Sequence, residues 1–467
     1  MKKLITILLL LSLILGLCAC GGTGSKNEKN QLMVGYSRQS IMPIGGVGLG
    51  GYSNADKRIS TGCLDYIYTT CIAFTYGDET ILLFTEDLIG KGQKMTAKVR
   101  EAITEATGIP GDHIMANGTH THSAPDTNVT RNNAYKELFV NASVLAAQDA
   151  LKDQAPATIH AANVMTEGLN FIRHYREEDG SITSSNLGNI NYEKVVDHAR
   201  EADKEMVLVK FDREDDKKDI MLMNWAAHPC TAEDGGASGT TISADYIGTV
   251  RDAFERDTGM HFAFFQGGGG DAVTDSRIEA RANNLDRKGY GEALSKVAVE
   301  ALPTMEEIPC DGIQIQQNMF EYAANHYGSD RMSDAQKVMA LYKKSGASDA
   351  NVLARELGFV AYTQCRSIVN CADNPETFTM ELDAFRIGEV GFATAPWEMC
   401  SQTSMQIKDG SPYKYTMVLS IANGRSGYLP IKEAFEYGSY EAFSSSYDAG
   451  GAEAAAEQLI AMLKSFQ

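Results

Sequence analysis

The chain has 467 residues and a formal net charge of −19, from 42 Lys and Arg against 61 Asp and Glu. With 43% hydrophobic residues, 43 Gly, 11 Pro and 9 Cys, it is not a collagen-like, coiled-coil, disulfide-framework or fully disordered protein. The excess of carboxylates repels phosphate backbones and the sequence has no basic patch, so we expect no nucleic-acid partner.

The first residues have the features of a secretory signal. A basic start at Met1–Lys3 precedes an apolar run at Leu4–Leu17, which is too short to span a bilayer comfortably. The small residue before Cys20 completes a pattern that resembles a bacterial lipobox. We therefore expect residues 1–19 to be a lipoprotein signal peptide, Cys20 to be lipidated, and residues 20–31 to be a flexible tether. The body would then be exported and lipid-anchored on the outer face of the bacterial cell membrane; an uncleaved anchor or a plain signal peptide are the alternatives.

Beyond the tether, strand and helix patterns alternate. An apolar run at Thr80–Thr85 precedes a helix pattern at Gln93–Thr107, which Gly108 closes, and an extended pattern at Ile114–Ser123 follows. This order predicts a β-α-β unit.

Further patterns fill the rest of the chain. Helices are predicted at Ala134–Asp153, with Leu138, Ala142 and Leu145 on one face, at Leu285–Ala301, with Tyr290, Leu294 and Val297 on one face, and as a hairpin from a cap at Ser333 to about Asn370. Strands are predicted at Met206–Phe211, Ile220–Trp225, Phe262–Gln266, Ile313–Gln317 and Phe378–Ile387.

The predicted fold class is therefore α/β, with a mixed, mostly buried sheet and flanking helices. Residues 32–467 contain no low-complexity linker and no internal repeat, so we expect a single large domain. Because such a body exceeds the usual single-core size of about 250–300 residues, it has either two lobes or a large sheet.

The cysteines are scattered. Seven remain after Cys20, without CxxC spacing, which excludes both a disulfide framework and a cysteine metal site. Cys63 and Cys71 could pair in an oxidising exterior, but buried free thiols are the default expectation.

The segment Asn117–Pro125 contains two histidines separated by one residue. The β-branched Thr119 and Thr121 favour an extended backbone, on which His120 and His122 share a face. Such a pair can supply a metal ligand and a neighbouring acid or base, because neutral imidazole binds zinc and titrates near neutrality. Two surface histidines in a polar turn are the alternative.

The same segment, Gly-Thr-His-Thr-His-Ser-x-Pro, resembles the signature of neutral/alkaline non-lysosomal ceramidases, zinc amidases that cleave the N-acyl bond of ceramide. The resemblance continues in matching order through segments at Val34–Ser37, Leu49–Tyr52, Cys63–Asp65, Asn224–Pro229, Ser243–Asp245, Phe265–Asp271, Pro396–Glu398, Tyr428–Ile431 and Tyr440–Ala442.

The resemblance implies a set of site residues. It makes one Zn²⁺ per chain the cofactor, with His120, His228, Glu398 and Tyr428 as ligands and one position left for water or substrate. It also implies that His122 transfers protons, and that Arg173 and Tyr440 hydrogen-bond the oxyanion. The alternatives are a strand-end histidine at 228, a solvated acid at 398, a core tyrosine at 428 and a surface ion pair at Arg173.

The sequence also departs from the family pattern. Asp126-Thr127 replaces two glycines, Ala124 replaces a glycine, the turn at Gly267–Asp271 lacks polar side chains, and Val273-Thr274-Asp275 replaces Ser-Pro-Asn. We also expect the family's C-terminal β-sandwich domain to be absent. These changes lie around the approaches to the metal and not at its ligands. The sequence therefore supports the reaction, zinc-dependent hydrolysis, better than it supports ceramide as the substrate.

The predicted function is zinc-dependent hydrolysis of an N-acyl amide, with ceramide or a ceramide-like lipid amide as substrate and the membrane reached through the lipid anchor. The alternatives are hydrolysis of another acyl substrate, or a non-catalytic surface lipoprotein that binds a solute or glycan in a cleft of the same fold. No GxSxG elbow and no Gly-Lys-Ser/Thr after the glycine run are present, which argues against a serine esterase and a nucleotide loop.

Overall fold

The computed structural model describes residues 30–52, 55–188 and 190–467. The predicted signal peptide, Cys20 and all but the last two residues of the predicted tether lie outside the described residues. Within them, no helix combines the length and the apolar character that a membrane span requires.

The strands of the described chain, in order, are β1 (Leu32–Ser40), β2 (Gly62–Cys63), β3 (Tyr68–Tyr76), β4 (Glu79–Glu86), β5 (Ile114–Gly118), β6 (Ala155–Met165), β7 (Phe171–Ile172), β8 (His174–Glu177), β9 (Ile182–Ser184), β10 (Val195–His198), β11 (Glu205–Arg213), β12 (Ile220–Trp225), β13 (Thr241–Ile242), β14 (His261–Gln266), β15 (Ala272–Val273), β16 (Glu306–Ile308), β17 (Ile313–Ala323), β18 (Thr377–Ile387), β19 (Val390–Thr394), β20 (Glu398–Met399), β21 (Tyr415–Leu419) and β22 (Tyr428–Leu429).

The α-helices are α1 (Gln93–Thr107), α2 (Asn133–Lys152), α3 (Tyr246–Thr258), α4 (Arg287–Ala301), α5 (Met332–Ser345), α6 (Ala347–Glu356), α7 (Tyr362–Asn370), α8 (Ser401–Gly410), α9 (Lys432–Glu436) and α10 (Gly451–Lys464).

Two mixed sheets form the centre of the molecule. The larger has the order β14-β12-β11-β6-β1-β3-β4-β5, with β16 also paired to β6, and the smaller has the order β17-β18-β19-β21. In the larger sheet the inner pairs are antiparallel, whereas both edge pairs, β12 with β14 and β4 with β5, are parallel. In the smaller sheet, β19 and β21 are likewise parallel. Parallel strands end at the same sheet edge, where their loops can converge.

The main core lies between these sheets. Phe74 and Phe211 from the larger sheet, with ring centroids 5.1 Å apart, belong to the same buried cluster as Phe385 and Phe392 from the smaller sheet. Helices α1 to α4 cover the outer face of the larger sheet, and α8 and α10 cover that of the smaller sheet. The result is a helix–sheet–sheet–helix arrangement, which confirms the predicted α/β class with mixed, buried sheets and flanking helices.

The predicted β-α-β unit is present. Helix α1 spans Gln93–Thr107 as expected, and Gly108 ends it in a left-handed conformation (φ 78°), with its N–H donating to Thr104 O. Strands β4 and β5 on either side are parallel.

Two helix predictions are wrong in detail. In α2, Leu145 is 50% exposed, because the buried face is formed by small residues such as Ala146 and Ala150 that bring the helix close to β1. A Cβ at Gly35 of β1 would lie 1.9 Å from Ala150 O, so this close approach requires glycine at position 35.

The predicted hairpin is three helices, α5 to α7. It begins with its cap at Arg331 rather than Ser333, and Gly346 (φ 89°) separates α5 from α6. The seven cysteines of the described chain are free thiols, with Cys63 exposed and Cys71 buried, so these two are not paired.

Candidate metal centre

The site forms where the carboxyl ends of strands from both sheets meet. His120 lies two residues beyond β5 and His228 three residues beyond β12, both in the larger sheet. Glu398 and Tyr428 begin β20 and β22, which follow β19 and β21 of the smaller sheet and pair in parallel with Glu398 opposite Tyr428. Ligands commonly bind at such strand ends in α/β proteins.

Two buried asparagines join the strand ends beneath the site. The Asn117 side chain at the end of β5 exchanges hydrogen bonds with the backbone of Gln266, accepting from N (2.8 Å) and donating to O (3.4 Å). Asn224 of β12 does the same with Val418 of β21, at 3.0 Å in each direction. Each side-chain amide thus takes the place of a peptide group between strands that do not pair directly. Together the two amides fix the positions of the strands that lead to His120 and His228.

The histidine pair is not on a strand, in contrast to the extended pattern predicted to Ser123. β5 ends at Gly118, and His120 has a left-handed backbone (φ 69°) that an isolated sequence pattern would not favour. The turn is held by His120 N donating to Leu88 O (2.9 Å). The two imidazoles nevertheless converge, with 3.4 Å between their Nε2 atoms, so the predicted proximity is present for a different reason.

The four predicted ligands come together. Glu398 Oε2 lies 3.2 Å from His120 Nε2 and 3.5 Å from His228 Nε2, and the Tyr428 hydroxyl lies 3.4 Å from His228 Nε2. The side chains of His120, His228 and Glu398 are 3%, 4% and 11% exposed. None of these three is therefore a solvated loop residue.

The second nitrogen of each of these imidazoles determines its tautomer. His120 Nδ1 lies 3.0 Å from Ile89 O, and His228 Nδ1 lies 2.7 Å from Gly269 O. Because carbonyl oxygens only accept hydrogen bonds, we place the protons on both Nδ1 atoms, which leaves Nε2 lone pairs facing Glu398. Glu398 Oε2 is buried with no hydrogen-bond donor in the described chain. Lone pairs that converge on a buried carboxylate oxygen repel one another unless a cation lies between them.

His122 differs from these two histidines. Its Nδ1 is buried and has no hydrogen-bond partner within the described chain, so no carbonyl fixes its ring. The ring packs edge-on against Tyr52 at 5.1 Å, and a Cβ at Gly51 (φ 103°) would lie 2.6 Å from it. One ring nitrogen from each of His120, His122 and His228 lies within 4.8 Å of the other two, so His122 adjoins the same point.

Burial favours the neutral form of the His122 and His228 imidazoles. It lowers the pKa of His122 well below its usual value, and the neighbouring His120 and His228 lower it further. Burial, followed by the Arg173 cation, also lowers the pKa of His228. Neutral imidazoles at physiological pH can bind a metal or accept a proton.

Arg173 and Tyr440 adjoin the ligand set. Arg173 is buried rather than in a surface ion pair: its Nε donates to Glu441 Oε1 (2.7 Å), and its Nη2 donates to Gly270 O (2.8 Å) and to the Tyr428 hydroxyl (3.2 Å). The Tyr440 ring lies 5.5 Å from the guanidinium and 5.8 Å from the Tyr428 ring.

The glycine run at Gly267–Gly270 forms the predicted tight turn against the site. Its carbonyl groups contact His228 and Arg173, and a Cβ at Gly270 would lie 2.6 Å from Glu398 O. Asp126, where the family pattern has glycine, instead pairs with Arg425 at 3.3 Å and joins the histidine loop to the segment before Tyr428.

Sequence reasoning did not find Glu441 or His174. Glu441 is fully buried and binds Arg173 and His174 at 2.7 Å each. The available signal was position alone, because each of these residues directly follows a predicted site residue, Arg173 or Tyr440.

Comparisons with known proteins were made on both sequence and fold. No curated protein matches the sequence. The neutral ceramidase from Pseudomonas aeruginosa has a similar crystal structure (TM-score 0.68, 15% identity, covering 94% of this chain and 75% of that chain), and a structure described as ceramidase complexed with C2 gives a TM-score of 0.67 at the same identity and coverage. These likenesses show a shared fold. The model of the neutral/alkaline non-lysosomal ceramidase N-terminal region matches residues 33–273, more than half of the chain, and the chain therefore belongs to the neutral/alkaline non-lysosomal ceramidase family.

Proposed function

We propose that the protein is a zinc-dependent hydrolase that cleaves an N-acyl amide bond, with ceramide or a ceramide-like lipid amide as its substrate. The observation that carries the proposal is the convergence of two Nε2 lone pairs on one buried oxygen of Glu398, at 3.2 and 3.5 Å. Family membership supports amide hydrolysis as the reaction.

The donor set fits zinc. Two imidazole nitrogens, a carboxylate oxygen and the Tyr428 phenol oxygen are all suitable zinc donors, and a catalytic site keeps a further position open. The Nδ1 hydrogen bonds of His120 and His228 to backbone carbonyls are the outer-shell arrangement that orients metal-binding histidines. His120, His228, Glu398 and Tyr428 would hold the zinc ion, whose chemistry there would be to lower the pKa of a water to about 7 and to polarise the substrate carbonyl.

His122 has the position and protonation state of a general base. It is neutral because burial lowers its pKa, and its Nε2 lies 3.4 Å from that of His120. It can accept a proton from the attacking water and then donate that proton to the departing amine, which must leave protonated.

Arg173 and Tyr440 can bind the carbonyl oxygen as its negative charge develops. Arg173 is held by Glu441 and Gly270, so its guanidinium needs little reorganisation when the substrate reacts. Each such donor contributes about 3 kcal/mol to transition-state stabilisation in well-studied enzymes.

We also propose the organisation expected from the sequence: a signal peptide at residues 1–19, lipidation at Cys20, a tether at residues 20–31 and a hydrolase body at residues 32–467. A lipid anchor on the outer face of the cell membrane would hold this body close to lipid amides in the membrane. Metabolic labelling with a fatty-acid probe, lost on Cys20→Ala, tests the anchor separately from the chemistry.

The main test combines zinc stoichiometry with turnover of fluorescent N-acyl amides of varied chain length. We expect one zinc per chain and amide cleavage in the wild type, and loss of both in His120→Ala and His228→Ala. His326→Ala, at a histidine remote from the site whose Nε2 meets Pro375 O, is the matched control and should keep both. A metal-free protein that binds lipid equally well with and without these changes would show a non-catalytic binder instead, and cleavage of esters but not amides would show another acyl substrate.

A further inference from the structure

A network of buried, hydrogen-bonded side chains lies behind Arg173. Glu441, which follows Tyr440, accepts a hydrogen bond from Arg173 Nε on one carboxylate oxygen and from His174 Nε2 on the other, each at 2.7 Å. The side chains of both Glu441 and His174 are 0% exposed. The Tyr437 hydroxyl lies 2.7 Å from His174 Nδ1.

The hydrogen-bonded network continues beyond His174. The Tyr437 hydroxyl that contacts His174 Nδ1 also accepts a hydrogen bond from Arg200 Nη1 at 3.3 Å. The network therefore runs from Arg200 to the Glu441 carboxylate, both oxygens of which are bound.

Such a network contributes little free energy to the stability of a fold. A buried ion pair often stabilises a protein no more than apolar side chains of the same volume, because both charges lose their hydration. The network does fix the geometry of its members, because a guanidinium and a carboxylate that are hydrogen-bonded on several sides have only one relative orientation.

That geometry restricts Arg173 to one orientation. Its Nε is bound to Glu441 and its Nη2 to Gly270 O and the Tyr428 hydroxyl. Among the described residues, Nη1 has no hydrogen-bond acceptor, so it is the nitrogen left for a ligand.

We propose that Glu441, itself held by His174 and Tyr437, is a positioning residue that fixes the Arg173 guanidinium so that Nη1 meets the substrate carbonyl oxygen in the transition state. This inference rests on the proposed amide hydrolysis at the same site. Glu441 acts through Arg173 and does not itself touch the substrate.

The test is a double-mutant cycle of Glu441→Gln with Arg173→Lys. Glu441→Gln keeps the side-chain shape but removes the charge, and we expect kcat to fall about 10- to 100-fold, as for changes to outer-shell partners, with KM and zinc content unchanged. Because Glu441 acts only through Arg173, the double variant should be no slower than the slower single variant. Glu381→Gln, at a partly buried glutamate that pairs with Arg100 2.9 Å away and remote from the site, is the matched control and should retain wild-type kcat.

The cycle also separates positioning from a purely structural role. If Glu441 only supports the fold, the losses in kcat will add in the double variant, or zinc content will fall with them, and the proposal is then wrong. If Glu441→Gln does not fold, Tyr437→Phe removes a single hydroxyl from the same network and should lower kcat in the same direction, by less. An unchanged kcat in that variant overturns the proposal.

A measurement without turnover distinguishes failure of this inference from failure of the proposed function. In protein labelled with ¹⁵N-arginine, the Nε–H signal that disappears in Arg173→Lys reports on Arg173 directly. We expect its exchange with water to be slow in the wild type and about tenfold or more faster in Glu441→Gln, since a charged hydrogen bond is lost. If the wild type hydrolyses no amide but this change occurs, the positioning stands and the amidase proposal fails. An unchanged exchange rate overturns the positioning itself.

Discussion

The stability of the protein should depend on pH through Asp383, a buried carboxyl group on β18 that contacts the loop before Tyr428. Its oxygens accept hydrogen bonds from Asn423 (2.7 Å), Thr394 (2.9 Å) and Gln317 (2.9 Å). Burial, and then the nearby Glu381, raise the pKa of Asp383 from its usual 3.8 to about 6. The folded protein therefore holds this proton more tightly than the unfolded chain does.

The sign and size of the effect follow from that difference. Below the unfolded pKa of 3.8 both states are protonated and Asp383 imposes no cost, whereas above about 6 the folded protein contains a buried charge. The free energy of unfolding should therefore fall by about 3 kcal/mol as pH rises between these values and then stay level, as far as Asp383 is concerned.

The assay compares wild type with Asp383→Asn, which is neutral throughout. Urea unfolding followed by fluorescence suits this protein, because both of its tryptophans, Trp225 and Trp397, are buried. Groups that do not interact with Asp383 titrate equally in both proteins, so the difference isolates Asp383 together with its coupling to Glu381. We expect the variant to gain about 3 kcal/mol relative to wild type between about pH 4 and pH 8. A difference that stays constant to within about 0.5 kcal/mol would refute the reasoning.

Three further changes give distinct results. His122→Ala should keep zinc and lower kcat about 10²- to 10⁴-fold, because it removes the proposed general base; loss of zinc would make His122 a ligand instead. Gly51→Ala adds a Cβ 2.6 Å from His122 on a left-handed backbone, and should lower kcat with zinc retained, so wild-type kcat would contradict the packing. Phe74→Ala empties the core between the sheets beside Phe211 and should cost about 3–5 kcal/mol in urea unfolding. Tyr327→Ala, at a 64% exposed ring, is its control and should change stability by less than about 0.5 kcal/mol.

Strong local patterns predicted the elements well, and tertiary constraints account for the errors. Strand β12 and helix α1 have the bounds expected from their sequences, since apolar periodicity and a C-terminal glycine determine them locally. His120 adopts a left-handed conformation because Leu88 and Ile89 supply acceptors from another loop, which no local pattern reveals. Leu145 points outward because the buried face of α2 runs through Ala146 and Ala150, where Gly35 of β1 lies close to the helix backbone.

The candidate site was predictable in part. The spacing of His120 and His122 alone suggested a site, whereas Glu398 and Tyr428 were found only through the family resemblance. Each stands in an ordinary local context, and its importance arises from a sheet pairing between segments thirty residues apart in sequence. Glu441 is a buried carboxylate whose partners come from β8 and the preceding residue, so its role depended on distances that only the fold supplies.

The ligand set spans the two layers of the sandwich: two of its members extend from the larger sheet and two from segments that follow the smaller one. An ion held by all four proposed ligands would link the two sheets and would resist movement of one sheet relative to the other. Chelation should then loosen the whole body as well as abolish chemistry, and the melting temperature should rise with free zinc concentration. The concentration of free zinc would in this way determine how rigidly the two sheets are held together.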